Sequence, residues 1–207
     1  MLERAGRAGL VVASYLAGAF PTAELVGRAV GHDVHSEGSG NPGASNTFRL
    51  AGKSAGAFVL AADLAKGALP PLAAIKATRS PALAATCGTA AVAGHCFPLL
   101  QPAGGGKGVA TAAGMVLVVD PPLGLLGAAA WAGVAKATRR PSVASVVLAI
   151  GLPVAALARH RPGWELASFA LVGGLVLARH EENLRRLARG EERPVSQPAG
   201  GPRPIPC

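Results

Sequence analysis

The sequence predicts an all-α, polytopic membrane protein of seven transmembrane helices, with its N-terminus outside and its C-terminus inside. Three observations carry that prediction. Half of the 207 residues are hydrophobic and only 15% are charged, where a soluble domain carries roughly a quarter; mean hydropathy is +0.38. Apolar stretches recur at the length that crosses a bilayer, whose hydrocarbon core of ~30 Å takes about 20 helical residues. Small residues abound, with 28 Gly and 44 Ala against five Phe, two Trp and one Tyr, which suits helices packed closely in lipid. The same figures exclude a disordered chain. Three scattered cysteines, Cys87, Cys96 and Cys207, make no disulfide framework.

The spans follow in order, separated by polar or proline-rich punctuation. The first covers residues 8–30. Arg4 and Arg7 precede its apolar run as in a signal peptide, but no small-residue cleavage site follows, so a retained span fits better. The second covers 55–77 and the third 81–100. The fourth, 109–119, is short and is stopped by Asp120-Pro121-Pro122, since proline cannot continue a helix. The fifth covers 123–137, the sixth 142–158 and the seventh 164–179. One kinked helix over 109–137 is the alternative and leaves six spans. Residues 1–193 read as a single membrane domain, and 194–207, with five prolines, as a disordered cytoplasmic tail.

Charge sets the orientation. With the N-terminus outside, the loops 28–53, 101–108 and 136–141 and the tail from Arg179 hold thirteen Lys and Arg, against six on the other side. Cytoplasmic loops retain cations, so seven spans with an inward tail fit. The net charge of +9 has this cause. Too few aromatics accompany it for a nucleic-acid surface, and none is expected to bind.

Three polar, glycine-rich segments interrupt the apolar chain, and all fall on the face predicted to be cytoplasmic. The first runs Gly38-Ser39-Gly40-Asn41-Pro42-Gly43-Ala44-Ser45-Asn46-Thr47-Phe48-Arg49. Glycines let consecutive N–H groups converge on an anion, and Arg49 offers a planar fork suited to phosphate. The second joins Gly94-His95-Cys96-Phe97-Pro98 to Gly104-Gly105-Gly106-Lys107-Gly108-Val109-Ala110-Thr111. Lys107 precedes a helix start, where free N–H groups bind phosphate. It is not a nucleotide P-loop: Gln101 and Gly108 stand where that motif needs Gly and Ser or Thr. The third runs from Arg179 to Glu192. His180 and Asn183, three apart, share a helix face. Taken alone, the segment also reads as an amphipathic tail on the membrane surface, and His95 alone as a structural polar residue at a helix end. Glu24, Asp63 and Lys66 lie inside spans, where ionisable groups face the bundle interior. Asp63 and Lys66 are spaced to pair.

In order and at this length, these segments resemble the bacterial acyl-phosphate:glycerol-3-phosphate acyltransferases, the PlsY family. Asp63 to Gly67 matches as well, and the resemblance covers about residues 8–192. One stretch departs: where that family has an aromatic and a basic residue before Gly105, this chain has Gln101-Pro102-Ala103-Gly104.

The resemblance implies transfer of a fatty acyl group from acyl phosphate to the sn-1 hydroxyl of glycerol 3-phosphate, giving lysophosphatidic acid and inorganic phosphate. It implies the inner membrane, with the site at its cytoplasmic face, and the soluble enzyme that makes acyl phosphate as a candidate partner. Ser39, Arg49, Lys107, His180 and Asn183 are the expected catalytic set. Lys107 and its glycine N–H groups hold the donor's phosphate, Ser39 donates to a phosphate or to the developing oxyanion, and Arg49, His180 and Asn183 grip glycerol 3-phosphate. Gly38, Gly40, Asn41, Gly43, Ser45, Asn46, Thr47, His95, Gly104, Gly105, Gly106, Gly108 and Thr111 complete the expected substrate-binding set. No cofactor or metal is expected. Phosphate leaves readily, so positioning and charge stabilisation suffice without a nucleophilic triad. A small transporter of an organic phosphate is the alternative class, and an inactive relative a third.

Overall fold

The structure is a computed structural model that describes residues 4–99, 101, 104–192 and 194. The expected tail, apart from Pro194, lies outside the described residues, as do Pro102 and Ala103 of the divergent stretch. The described residues hold helices and turns, with no strand. The helices are α1 (Arg4–Gly18), α2 (Thr22–Ala29), α3 (Ala44–Thr78), α4 (Pro81–Cys96), α5 (Val109–Val119), α6 (Pro121–Thr138), α7 (Pro141–Ala158), α8 (Gly163–Arg179) and α9 (Glu181–Ala188). The α1–α2 segment, α3 and α7 are each long and apolar enough to cross a bilayer.

Three features differ from the sequence expectations. The expected first span is two helices, because Pro21 offers no N–H and the chain turns at Ala19–Pro21. Carbonyls opened by that break find side-chain donors: Gln101 Nε2 donates to Ala19 O at 2.5 Å and Lys66 Nζ to Phe20 O at 2.7 Å. The polar segment 38–49 is not all loop, since it turns helical at Ala44. Gly52, at φ 84° and ψ −176°, then breaks the helical path within α3, a left-handed φ that glycine adopts without a Cβ clash. The third helix stops at Cys96 rather than at residue 100. The third polar segment, in contrast, is helical as the three-residue spacing of His180 and Asn183 anticipates, and forms α9 with His180 at its N-terminal cap.

Where one kinked helix competed with two, there are two. Asp120 caps α6 by accepting from Leu123 N at 3.2 Å, and Pro121 opens its first turn. With 11 residues, α5 rises only about 16 Å.

Small residues set the packing. A Cβ on Gly67 would strike the Thr111 carbonyl, and one on Gly114 the Leu64 carbonyl, so α3 and α5 touch backbone to backbone. Gly18 and Gly94 allow the same between α1 and α4, and Gly173 between α7 and α8. The fully buried core gathers Val92, Cys96, Met115, Leu123 and Phe169. Tyr15 Oη donates to Phe97 O, and Ser142 Oγ to Glu192 Oε1 at 2.6 Å. These contacts draw the α1–α2 break, the α4–α5 connection, the start of α7 and the C-terminal segment to one end of the bundle. At the other end, Arg161 Nε lies 3.2 Å from Asp120 Oδ2 and 2.8 Å from Glu165 Oε1, joining the α5–α6 elbow to the α7–α8 turn.

Candidate active site

The glycine segment between α4 and α5 is the centre of the arrangement. Gly104 and Gly108 take positive φ, 83° and 78°, and lay the chain across the ends of α4 and α8. Gly106 N donates to His95 O at 3.1 Å. Arg179, at the end of α8, donates from Nε to Gly106 O at 3.1 Å and from Nη2 to Gly105 O, with its guanidinium 5.5 Å from the Phe97 ring centre. Both carbonyls are thereby turned towards α8. A Cβ on Gly106 would strike the His95 ring and the Pro42 carbonyl, so the first polar segment touches the second here.

Lys107 leaves this segment and donates from Nζ to Asn183 Oδ1 at 2.7 Å. Burial first, then Arg186 and Arg179, lower its ammonium to about 8, against the opposing pull of Glu192 and Glu182. Asn183 is spent at both ends, because its Nδ2 donates to Glu192 Oε1 at 2.7 Å. Glu192 also accepts from Ser142 Oγ at 2.6 Å and from Arg186 Nε at 2.7 Å. Burial alone would raise its carboxyl; these hydrogen bonds outweigh it and hold the group below the usual range. Glu192 and Arg179 were missed as site residues. Glu192 closes the matched third segment and Arg179 opens it, but sequence shows a charge and not its partner.

His180 is buried, with Nδ1 2.8 Å from Val176 O. A carbonyl only accepts, so Nδ1 carries the proton and Nε2 is left as an acceptor. Burial lowers the His180 pKa, nearby Lys107 lowers it further, and the Val176 hydrogen bond opposes both. The ring is therefore neutral near pH 7.

The first segment behaves differently from its expected donor role. Asn46, 1% exposed, donates to Val34 O and Glu37 O and accepts from Ser39 N. Thr47 Oγ1 donates back to Gly43 O at 3.1 Å. These two side chains hold the segment's shape instead of facing a ligand. Ser39, Gly38, Gly40, Ser45 and Arg49 are exposed, and Asn41 and Gly43 half-buried. Thr111 is fully buried, and its hydroxyl lacks a partner among the described residues.

Asp63 and Lys66 pair as expected, at 2.8 Å, both nearly inaccessible. With His95, Gly105 and Gly106 they line a gap of about 20 Å³, room for one water. Among the described residues, no group of three His, Cys, Asp or Glu side chains is placed to hold a metal ion.

Comparison with known proteins gives a consistent picture. A family model described as glycerol-3-phosphate acyltransferase matches residues 8–190. A glycerol-3-phosphate acyltransferase of Rubrobacter xylanophilus is 44% identical over 193 residues, covering 93% of this chain and 96% of that one. One of Pseudomonas aeruginosa is 44% identical over 185 residues, covering 89% and 97%. Two solved structures superpose, both described as PlsY (YgiH), an integral membrane glycerol 3-phosphate acyltransferase. The glycerol 3-phosphate form has a TM-score of 0.86 at 35% identity, covering 91% of this chain and 94% of that one. The lysophosphatidic acid form has a TM-score of 0.83 at 34% identity, with the same coverage.

Proposed function

The chain belongs to the glycerol-3-phosphate acyltransferase family and is an integral membrane acyltransferase of lipid biosynthesis; from that premise we propose that its acyl donor is acyl phosphate and that the three polar segments form its site. The sn-1 hydroxyl oxygen of glycerol 3-phosphate attacks the acyl carbonyl, the carbonyl-to-phosphate C–O bond breaks, and inorganic phosphate leaves.

The observation that carries this reading is the convergence of Lys107, Arg179, His180 and Asn183 from two distant stretches of chain. Lys107 is a half-buried cation whose hydrogen-bond partner is a neutral amide, and an incoming phosphate supplies the opposite charge it lacks. Arg49, exposed at the end of the site's first segment, adds a fork for glycerol 3-phosphate. Ser39 donates to a phosphate or to the developing oxyanion. His180 Nε2, an acceptor, suits the glycerol hydroxyl better than a phosphate oxygen. It orients that hydroxyl, and the proton passes to the departing phosphate. Asn183 keeps Lys107 aimed until substrate arrives.

The same proposal places residues 1–193 in one domain with seven spans, N-terminus out and C-terminus in, the site facing the cytoplasm of a bacterial inner membrane. The soluble enzyme that makes acyl phosphate is the proposed partner. Purified protein in lipid, given glycerol 3-phosphate with acyl phosphate, acyl-CoA or acyl-carrier protein in turn, tests the donor. Lysophosphatidate is expected with acyl phosphate alone, matched mole for mole by phosphate. Equal turnover with acyl-CoA would contradict it.

A further inference from the structure

Gln101 and Gly104 bound the stretch in which this chain departs from the pattern of its family. They stand between the end of α1 and the glycine segment that leads to Lys107. Three hydrogen bonds tie the α4–α5 connection to α1. Tyr15 Oη donates to Phe97 O and accepts from Leu99 N at 3.1 Å. Gln101 Nε2 donates to Ala19 O at 2.5 Å, a carbonyl that the turn at Pro21 leaves without a helical partner. Tyr15 and Ala19 are four apart, so both anchors rise from one face of α1. Gln101 O in turn accepts from Gly104 N at 2.9 Å. Past Gly104, Arg179 holds the Gly105 and Gly106 carbonyls from α8. The segment is thus pinned to α1 at its entrance and to α8 in its middle, and Lys107 follows directly. Gly104 turns between the two pins at φ 83°, and a Cβ there would lie 3.6 Å from Arg179 Nη2. That turn admits neither a side chain without strain nor a second cation without repulsion.

We propose that Gln101 is a positioning residue for Lys107: its hydrogen bond to Ala19 O fixes the entrance of the glycine segment to α1 and so holds the lysine ready for the donor's phosphate. The inference rests on the reading of Lys107 as the group that holds that phosphate. Gly104, Gly105, Gly106 and Gly108 give the segment unusual conformational freedom. A segment that ordered only when substrate arrived would lose that freedom on binding, at the expense of affinity; two fixed ends remove it beforehand. Gln101 is the last side-chain anchor before the glycines. It also lines the water-sized gap with His95, Gly105 and Gly106, so it borders the segment that it steers.

Gln101→Met keeps the length of the side chain and removes the donor. The KM for palmitoyl phosphate is expected to rise about three- to tenfold, the worth of one neutral hydrogen bond, with the KM for glycerol 3-phosphate within about twofold of wild type. A looser segment also lets water reach the Lys107 ammonium. Burial is the first cause of its low pKa, so the alkaline fall in kcat/KM should move to higher pH. Tyr15→Phe removes the neighbouring anchor, shifts both readouts the same way, and serves where the Met variant fails to fold. Thr86→Val, which loses a hydrogen bond to the Ala82 carbonyl on an exposed part of α4, changes neither. Hydrogen exchange in the free protein reads the anchor without turnover: amides 104–108 should exchange faster in Gln101→Met than in wild type, and those of α7 at the same rate. Equal rises in both KM values, an alkaline limb that stays in place, or unchanged exchange over 104–108 would each overturn the assignment. Wild-type protein inert towards acyl phosphate, with exchange over 104–108 still faster in Gln101→Met, would instead overturn the donor reading and leave the anchor standing.

Discussion

Lys107 carries its charge where little solvent reaches it, and that sets its pH behaviour. Burial and neighbouring arginines lower its pKa to about 8, and the protonated form is the one that binds an anion. kcat/KM reports ionisations of the free enzyme, so for both phosphorylated substrates it should fall as pH rises through about 8. A pH–rate profile checks this; a flat profile to pH 10 would contradict it. Lys107→Ala should lose at least about a hundredfold in kcat. Lys107→Arg should fail as well, because a planar fork does not replace a point charge among tight glycines. His180→Ala should lower the rate while leaving the shape of the profile intact, since the ring is already neutral where Lys107 titrates. Lys107, His180 and Asn183 were legible because polar residues at meaningful spacing stand out in an apolar chain. Arg179 and Glu192 were not, because their importance lies in which carbonyls and amides they reach. Arg179→Lys should lower kcat, since an ammonium cannot bridge the Gly105 and Gly106 carbonyls as the guanidinium does.

At the level of the helix, glycine decides which elements touch. Gly67→Val would drive a branched side chain into the Thr111 backbone between α3 and α5. A loss of about 1–3 kcal/mol is expected, read as a lower Tm in detergent, while Gly133→Val on α6, where a Cβ meets nothing within 4 Å, leaves Tm unchanged. The stop at Asp120-Pro121 was readable because a cap and a proline act locally. The break at Pro21 was not, since the apolar run continues through it. What makes that break tolerable is Lys66 and Gln101, which arrive from distant segments to satisfy its carbonyls. The helical turn of Ala44–Ala51 was hidden in the same way: Ser, Asn and Thr read as loop, but here Asn46 and Thr47 turn their polar atoms onto the backbone around them.

Across the whole molecule, the four segments that sequence places on the more basic side are the ones the fold draws together, through Lys107–Asn183, Ser142–Glu192 and the Pro42 approach to Gly106. Arg159 and Arg161 sit at the other end with Asp120. The grouping was legible because charge bias acts on whole loops and ignores local geometry. The proposed site requires that both phosphorylated substrates meet in one pocket that opens to a single side of the bilayer. Sealed proteoliposomes with palmitoyl phosphate in the lipid test it, with orientation scored by protease clipping of the tail beyond residue 193 and glycerol 3-phosphate supplied on one side at a time. Lysophosphatidate should form only when glycerol 3-phosphate is on the side where the tail is cleaved. Formation from either side at similar rates would contradict a one-sided pocket and point to a path through the membrane.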